Sequence, residues 1–237
     1  MLAMCWQCDK QVTPAVRPRT KSALSKDADR RLSTVELMSE ARENFRCVSL
    51  DKVAKHMLAD NTPDPELIVY TEEAKFGEVD AFLSHSWHDN ADEKWEALQR
   101  WRRDFKNMHG REPKVWLDKF CIDQNRIQDH LSLLPAFAAG CRKLVLLHGP
   151  TYQRRLWCVL EVFAFLAYGG SKADIEVREL ADCTADFTDF DVNNATCFDE
   201  EDQERLFGMM EAEGGIDSFN RQVSALAVLK KKILMTL

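Results

Sequence analysis

One acidic residue stands out because its surroundings in the sequence are almost entirely apolar. Glu161 lies within residues 156–166, a stretch that carries no other charged side chain. An ionised carboxylate in such a setting costs free energy unless it is paired with a base or faces a cavity. A salt bridge to Arg154, Arg155 or Lys119 is one interpretation, and a carboxyl group in a ligand site is the other.

A tryptophan accompanies this acid. Trp157 precedes Glu161 by four residues, so on a helix the two side chains share one face, one turn apart. An aromatic ring beside a carboxyl group suits a ligand that stacks and carries hydroxyl groups or positive charge. The pair therefore marks a candidate binding site for a small polar ligand.

Two other clusters contain groups that bind metals or act as nucleophiles. His85 and His88 lie three residues apart beside Asp89, a spacing that holds a metal on a helix. They follow a run typical of a strand, however, which favours hydrogen-bonded loop histidines. Cys158 could use His148 as a base, but a cysteine on an apolar helix is expected to be an inert buried thiol.

Several common nucleotide and hydrolase motifs are missing. The sequence contains no GxGxxG after its first predicted strand, no GxxxxGK[ST] and no GxSxG. Dinucleotide binding of the Rossmann type, P-loop phosphate transfer and α/β-hydrolase chemistry are therefore disfavoured. The CxxC formed by Cys5 and Cys8 has no second ligand pair nearby, so no metal site is predicted.

The elements that must position these groups alternate between strands and helices. Strands are predicted over residues 79–84, 114–118, 143–148 and 175–180, and helices over residues 92–108, 131–140, 154–168, 199–213 and 216–235. Apolar strands that alternate with helices predict a parallel sheet covered on both faces. In open α/β sheets, ligands bind beyond the carboxyl ends of the strands, here residues 84–87, 118–119 and 148–150.

The N-terminal third differs from this pattern. Residues 1–30 are poor in large apolar side chains and are predicted to be a flexible tail. The basic residues between 9 and 31 fit a solvated arm or a targeting or membrane-surface segment. Residues 31–75 are predicted to be a helical extension and linker, helical from Thr34 to about Ala59, and residues 76–237 to be the main domain.

Composition narrows the class of protein. The 237 residues carry a formal net charge of −7, which disfavours a broadly basic nucleic-acid binder. No run approaches the roughly 18 uncharged apolar residues that a membrane-spanning helix requires. The eight cysteines are scattered and no signal-peptide pattern opens the sequence, so a cytoplasmic location is expected.

Four stretches resemble, in the same order, motifs of the Toll/interleukin-receptor (TIR) domain superfamily. They are residues 79–85 (VDAFLSH), similar to the first strand, residues 114–118 (KVWLD), similar to the second, residues 143–152 (KLVLLHGPTY), similar to the third strand and its exit, and residues 155–161 (RLWCVLE), similar to the helix that carries a WCxxE motif. Residues 116–124 (WLDKFCIDQ) also resemble the second-strand motif of fungal heterokaryon-incompatibility (HET) domains.

The resemblance implies a fold and an activity. The fold is a flavodoxin-like parallel sheet of about five strands with helices on both faces, in addition to the N-terminal helical extension. The implied activity is cleavage of NAD at the nicotinamide–ribose bond in defence or stress signalling, with Glu161 as the catalytic carboxylate. NAD is then the substrate, and neither a cofactor nor a metal is expected. The implied ligand-binding residues are Ser84, His85, Ser86, Trp87, Asp118, Lys119 and Trp157.

The alternative implied by the same resemblance is a non-catalytic TIR/HET-like interaction module that self-assembles. In the family, the loop after the second strand, here residues 119–130, gates the pocket and takes part in assembly. This loop lacks the Gly/Pro of many signalling members, and His85 and Ser86 stand where the family often has an aromatic residue or arginine. Arg126 and Lys119 are candidates for the missing cation. Homotypic self-association is expected.

Overall fold

The computed structural model describes residues 34–124, 130, 133–183, 187–197, 200–212 and 214–226. The predictions for the tail at residues 1–30, for Cys5 and Cys8 and for Arg126 lie outside the described residues. The strands are β1 Arg46–Ser49, β2 Thr71–Glu73, β3 Ala81–His85, β4 Lys114–Trp116, β5 Leu144–His148 and β6 Ile175–Glu179. The helices are α1 Thr34–Glu43, α2 Ala91–His109, α3 Asp118–Cys121, α4 Leu134–Gly140, α5 Leu156–Ala167, α6 Glu200–Ala212 and α7 Ile216–Ser224.

The described residues form one six-stranded sheet in the order β2-β1-β4-β3-β5-β6. Strand β3 pairs in parallel with β4 and β5, and β5 pairs in parallel with β6. Counted along the chain, these parallel strands have the order second-first-third-fourth, as in flavodoxin-like sheets. The order reverses at β3, so the crevice where such sheets bind ligands lies at the carboxyl ends of β3 and β5.

The sheet has six strands instead of about five because the N-terminal part contributes two. The prediction of a helix from Thr34 to about Ala59 is wrong: α1 ends at Glu43, and β1 pairs antiparallel with both β2 and β4. The spacing of Phe45 and Val48 fits a helix, but Val48 pairs with Val115 in the sheet. Sheet pairing with β4 overrides the local helical pattern, since strand formation depends on its neighbours.

The two faces of β3 carry different chemistry because successive side chains point to opposite sides. Phe82 and Ser84 face one side, and His85 faces the other. Phe82 stacks on Trp116 with ring centroids 4.4 Å apart, and Trp116 lies 5.5 Å from Phe137 of α4. Helix α5 packs beside α4 on this side. Ser84 is therefore directed towards α5.

Helix α2 covers the opposite face. Asn90 begins it, because its side-chain oxygen accepts hydrogen bonds from two backbone N–H groups of the first turn, and Gly110 ends it at a positive φ of 68°. Leu98 and Trp101 are buried. Trp101 also donates its indole N–H to Glu176 of β6 over 3.0 Å. The predicted amphipathic helix over residues 92–108 is thus confirmed.

Helix α5 is buried almost all round, as its composition predicts. It is predicted over residues 154–168 and is observed as Leu156–Ala167. The helices α6 and α7 match the predictions for residues 199–213 and for the described part of residues 216–235. No helix of the described residues is long and apolar enough to cross a bilayer.

Candidate active site

Three hydroxyl- and carboxyl-bearing side chains meet where β3 and β5 end. The Ser84 hydroxyl forms a short hydrogen bond with the Glu161 carboxyl group. The same hydroxyl lies 2.5 Å from the Tyr152 phenol oxygen, and Tyr152 donates to the carbonyl oxygen of Cys158 over 3.2 Å. Ser84 and Tyr152 are buried, and Glu161 is partly exposed. The carboxyl group therefore stands at the outer end of a buried hydrogen-bond chain.

The direction of this chain depends on the protonation of Glu161, because each hydroxyl has one proton to donate. When the acid is protonated, it donates to Ser84, Ser84 donates to Tyr152, and Tyr152 donates to the Cys158 carbonyl. When the acid is ionised, Ser84 donates to the carboxylate and Tyr152 can donate to Ser84. Rotation of the Ser84 and Tyr152 hydroxyl groups therefore lets this hydrogen-bond chain form with either state of the carboxyl group.

No lysine or arginine in the described part of the chain forms an ion pair with Glu161. Lys119, one candidate for such a salt bridge, instead donates to the backbone oxygen of Asp60 over 2.8 Å and lies 3.5 Å from its carboxylate. Burial raises the pKa of Glu161 well above its usual range, and the charge of Asp118 raises it further. The hydrogen bond from Ser84 acts in the opposite direction. Burial and the Asp118 charge therefore favour the protonated form of the acid.

A second group lies beside the first, on the His85 side of β3. Trp87 donates its indole N–H to Asp118 over 3.2 Å, and the His85 ring packs edge-on against Trp87 with centroids 4.3 Å apart. Burial raises the pKa of Asp118 to about 6. Burial also lowers the pKa of His85 to about 3, so the imidazole is neutral at pH 7, 3.9 Å from the Asp118 carboxylate.

Two lysine ammonium groups lie over the Trp87 ring. The Lys94 ammonium is 5.1 Å and the Lys119 ammonium 5.5 Å from the ring centroid, within the range of cation–π attraction. Lys94 is buried and donates to the backbone oxygen of Ser86 over 2.9 Å. Burial lowers its pKa to about 8, although the charges of Asp89 and Asp118 oppose that shift. Two lysine ammonium groups and the carboxylate of Asp118 therefore surround the Trp87 ring.

Ser86 and Trp157 lie apart from the Ser84–Glu161 contact. The Ser86 hydroxyl is 2.7 Å from that of Thr151, and Thr151 donates through its backbone and its hydroxyl to Asp89, over 2.9 and 2.7 Å. This places Ser86 at the exit of β5. The Trp157 indole N–H is buried and has no hydrogen-bond partner among the described residues. Trp157 lies on the same helix as Glu161, one turn closer to the N-terminus of that helix.

Apart from Ser86 and Trp157, the predicted residues thus fall into two adjoining groups. Ser84 contacts Glu161, whereas His85, Trp87, Asp118 and Lys119 surround one another. The sequence analysis did not assign three residues of these groups: Tyr152, Lys94 and Asp60. The burial of Lys94 could have been predicted from the sequence, because Lys94 lies four residues before Leu98 on the apolar stripe of α2. Tyr152 ends the stretch at residues 143–152 but was not singled out there, and nothing in the sequence marks Asp60.

Cys158, the cysteine considered as a nucleophile, lies beside the carboxyl end of β3. Cys158 is buried and donates its thiol to the backbone oxygen of His85 over 3.3 Å. Burial raises the pKa of this thiol well above its usual value, and the charge of Glu161 adds to the effect. The thiol is therefore buried as expected, in a setting that disfavours the reactive thiolate. In the part of the chain that the structure describes, no three His, Cys, Asp or Glu side chains are grouped to hold a metal.

Comparison of the chain with protein-family models, with curated proteins and with solved structures gives no match. The geometry of the site is therefore the basis on which a function is proposed.

Proposed function

We propose that this protein is a TIR-like NAD glycohydrolase in defence or stress signalling. It cleaves the nicotinamide–ribose bond of NAD⁺, and Glu161 is its catalytic carboxyl group. One observation carries the proposal: Glu161, with no cation from the described residues paired to it, is held by Ser84 at the sheet edge where β3 and β5 end. That edge is where sheets with this strand order bind their ligands.

The chemistry of NAD⁺ suits an acid in this state. A positive charge close to a carboxyl group favours its ionised form, so the nicotinamide ring cation lowers the pKa of Glu161 when it binds. Ser84 then donates to the carboxylate and fixes its orientation. As the C1′–N bond breaks, its electron pair neutralises the departing nicotinamide, so no general acid is needed. The carboxylate stabilises the positive charge that develops on the ribose, and a water molecule then forms the new bond to C1′ and releases its proton to solvent.

The neighbouring group supplies recognition of the rest of the nucleotide. Trp87 and Trp157 offer aromatic surfaces for flat rings. Lys94 and Lys119 place positive charge around Trp87, which favours the anionic pyrophosphate. Asp118 accepts the Trp87 indole N–H and so orients that ring.

Self-association is part of the proposal, and it is expected to involve the loop at residues 119–130. Residues 125–129 of that loop lie outside the described residues. We expect assembly to complete the pocket, so the activity is expected to rise with protein concentration faster than linearly.

The test is incubation of the purified chain with NAD⁺ over a series of protein concentrations. Free nicotinamide is measured by chromatography, and molecular mass by light scattering in the same samples. Nicotinamide release in proportion to the assembled fraction supports the glycohydrolase. Assembly with no nicotinamide release at any concentration rejects it and leaves a non-catalytic interaction module.

A further inference from the structure

A second cluster with reactive chemistry lies at the far side of the same sheet edge. His148, the last residue of β5, is fully buried and stacks on Phe187 with ring centroids 4.4 Å apart. Cys183 lies in the segment that follows β6 and is partly exposed. Its sulfur is 3.5 Å from Nδ1 of His148, within the hydrogen-bond limit for sulfur. A thiol and an imidazole are therefore paired outside the site built on Glu161.

The other side of the imidazole sets the direction of this hydrogen bond. The side-chain nitrogen of Gln153 lies 3.1 Å from Nε2 of His148. An amide nitrogen only donates, so Nε2 accepts and the ring proton resides on Nδ1. The Nδ1–H group then donates to the sulfur of Cys183. A donor aimed at sulfur stabilises the thiolate over the thiol, and the thiolate is the nucleophile.

Backbone hydrogen bonds hold Cys183 in this place. Its own N–H donates to the backbone oxygen of Leu180 over 3.1 Å. The N–H of the preceding residue, Asp182, donates to Glu93 in the first turn of α2 over 3.1 Å. These two hydrogen bonds fix the backbone at Cys183 and so keep its sulfur beside the His148 ring.

The contrast with the other described cysteines is large. Cys47, Cys121, Cys141 and Cys158 are buried, and burial raises the pKa of each thiol, so they are unreactive. Cys197 is partly exposed like Cys183 and provides a matched reference within the same chain. Cys183 combines partial exposure with a histidine donor at its sulfur.

We propose that Cys183 is a modification site that reacts with small-molecule disulfides such as oxidised glutathione. The Cys183 thiolate attacks one sulfur of the disulfide and forms a mixed disulfide with it. The existing S–S bond breaks, and the second sulfur leaves as a thiolate that takes its proton from water. His148 promotes the step by holding the sulfur in its thiolate form. The proposal is independent of the function proposed for Glu161.

The experiment exposes the folded, full-length chain to oxidised glutathione at pH 6 and quantifies the mixed disulfide at each cysteine by peptide mass spectrometry. Cys183 is expected to react roughly three- to tenfold faster than Cys197, because the His148 donor at its sulfur favours the thiolate, which is the nucleophilic form. In His148→Phe, which retains a ring to stack on Phe187, the rate at Cys183 is expected to fall to that of Cys197.

Two results would overturn the proposal: a wild-type Cys183 no faster than Cys197, or a His148→Phe chain that stays folded by circular dichroism and keeps the fast reaction. If His148→Phe does not fold, Gln153→Leu replaces it. That change removes the donor at Nε2, frees the ring to carry its proton there, and should slow Cys183 while leaving Cys197 unchanged. An unaltered rate at Cys183 in folded Gln153→Leu contradicts the argument equally.

Discussion

Replacing Asp118 with asparagine should make the protein more stable at neutral pH, although it removes a charged group that contacts Trp87. Burial raises the pKa of Asp118 from 3.8 to about 6. An acid whose pKa is higher in the folded protein than in the unfolded chain contributes to stability while it is protonated, because the folded protein then binds the proton more tightly. That contribution is present below pH 3.8 and is lost as the pH rises through about 6.

The magnitude follows from the size of the shift. Each pKa unit corresponds to about 1.4 kcal/mol, so a shift of roughly two units corresponds to about 3 kcal/mol of unfolding free energy. Asparagine does not titrate, so the variant does not lose this unfolding free energy as the pH rises. The carboxylate accepts one hydrogen bond on each oxygen, from Trp87 and from the backbone of Lys119. Asparagine has one acceptor oxygen, so the change also costs about 1 kcal/mol at every pH.

The assay is urea unfolding of wild type and Asp118→Asn at several values between pH 4 and pH 7.5. The free-energy difference between the two proteins should move in favour of the variant by about 2.5 kcal/mol across that range, because a small part of the change already lies below pH 4. Asp189→Asn, at an exposed position, is the matched control and should show a flat difference. A flat difference for Asp118→Asn as well would refute the reasoning.

Other substitutions test the packing and hydrogen bonding of the site. Gly149→Ala places a methyl group 2.4 Å from the Asp89 carboxyl carbon and should cost about 1–3 kcal/mol in urea unfolding. Gly208→Ala in α6, where nothing lies within 4 Å of the new methyl group, should instead stabilise the protein by about 0.5–1 kcal/mol. Ser84→Ala removes the hydroxyl between Tyr152 and the acid. It should cost about 1 kcal/mol of stability and reduce nicotinamide release, and unchanged release would remove Ser84 from the mechanism.

Much of the parallel part of the sheet was predictable from sequence because its signals are local. Three apolar runs identify β3, β4 and β5, a more polar run identifies β6, and an almost uncharged stretch identifies the buried helix α5. The strands β1 and β2 were not predictable in the same way. Thr71–Glu73 is short and polar, and it becomes a strand because β1 lies beside it.

Glu161, the central residue of the candidate site, was predictable from the sequence, whereas the residues that contact it were harder to predict. Glu161 is conspicuous because no other charge lies near it in the sequence, and the sequence left open whether a base neutralises it. That question depends on three-dimensional contacts: Lys119 binds Asp60, which is 59 residues away in the chain. The chain from Tyr152 through Ser84 to Glu161 likewise joins residues up to 77 positions apart, which no local pattern reveals.

The most direct test of the central claim compares nicotinamide release by wild type, Glu161→Gln and Glu204→Gln at the same high protein concentration. Glutamine preserves the shape of the side chain and its hydrogen bond with Ser84, but it cannot carry the negative charge that the transition state requires. Glu204 is an exposed acid on α6 and serves as the control. The account predicts that release is lost in Glu161→Gln and retained in Glu204→Gln, with both variants folded. Wild-type release from folded Glu161→Gln would contradict it.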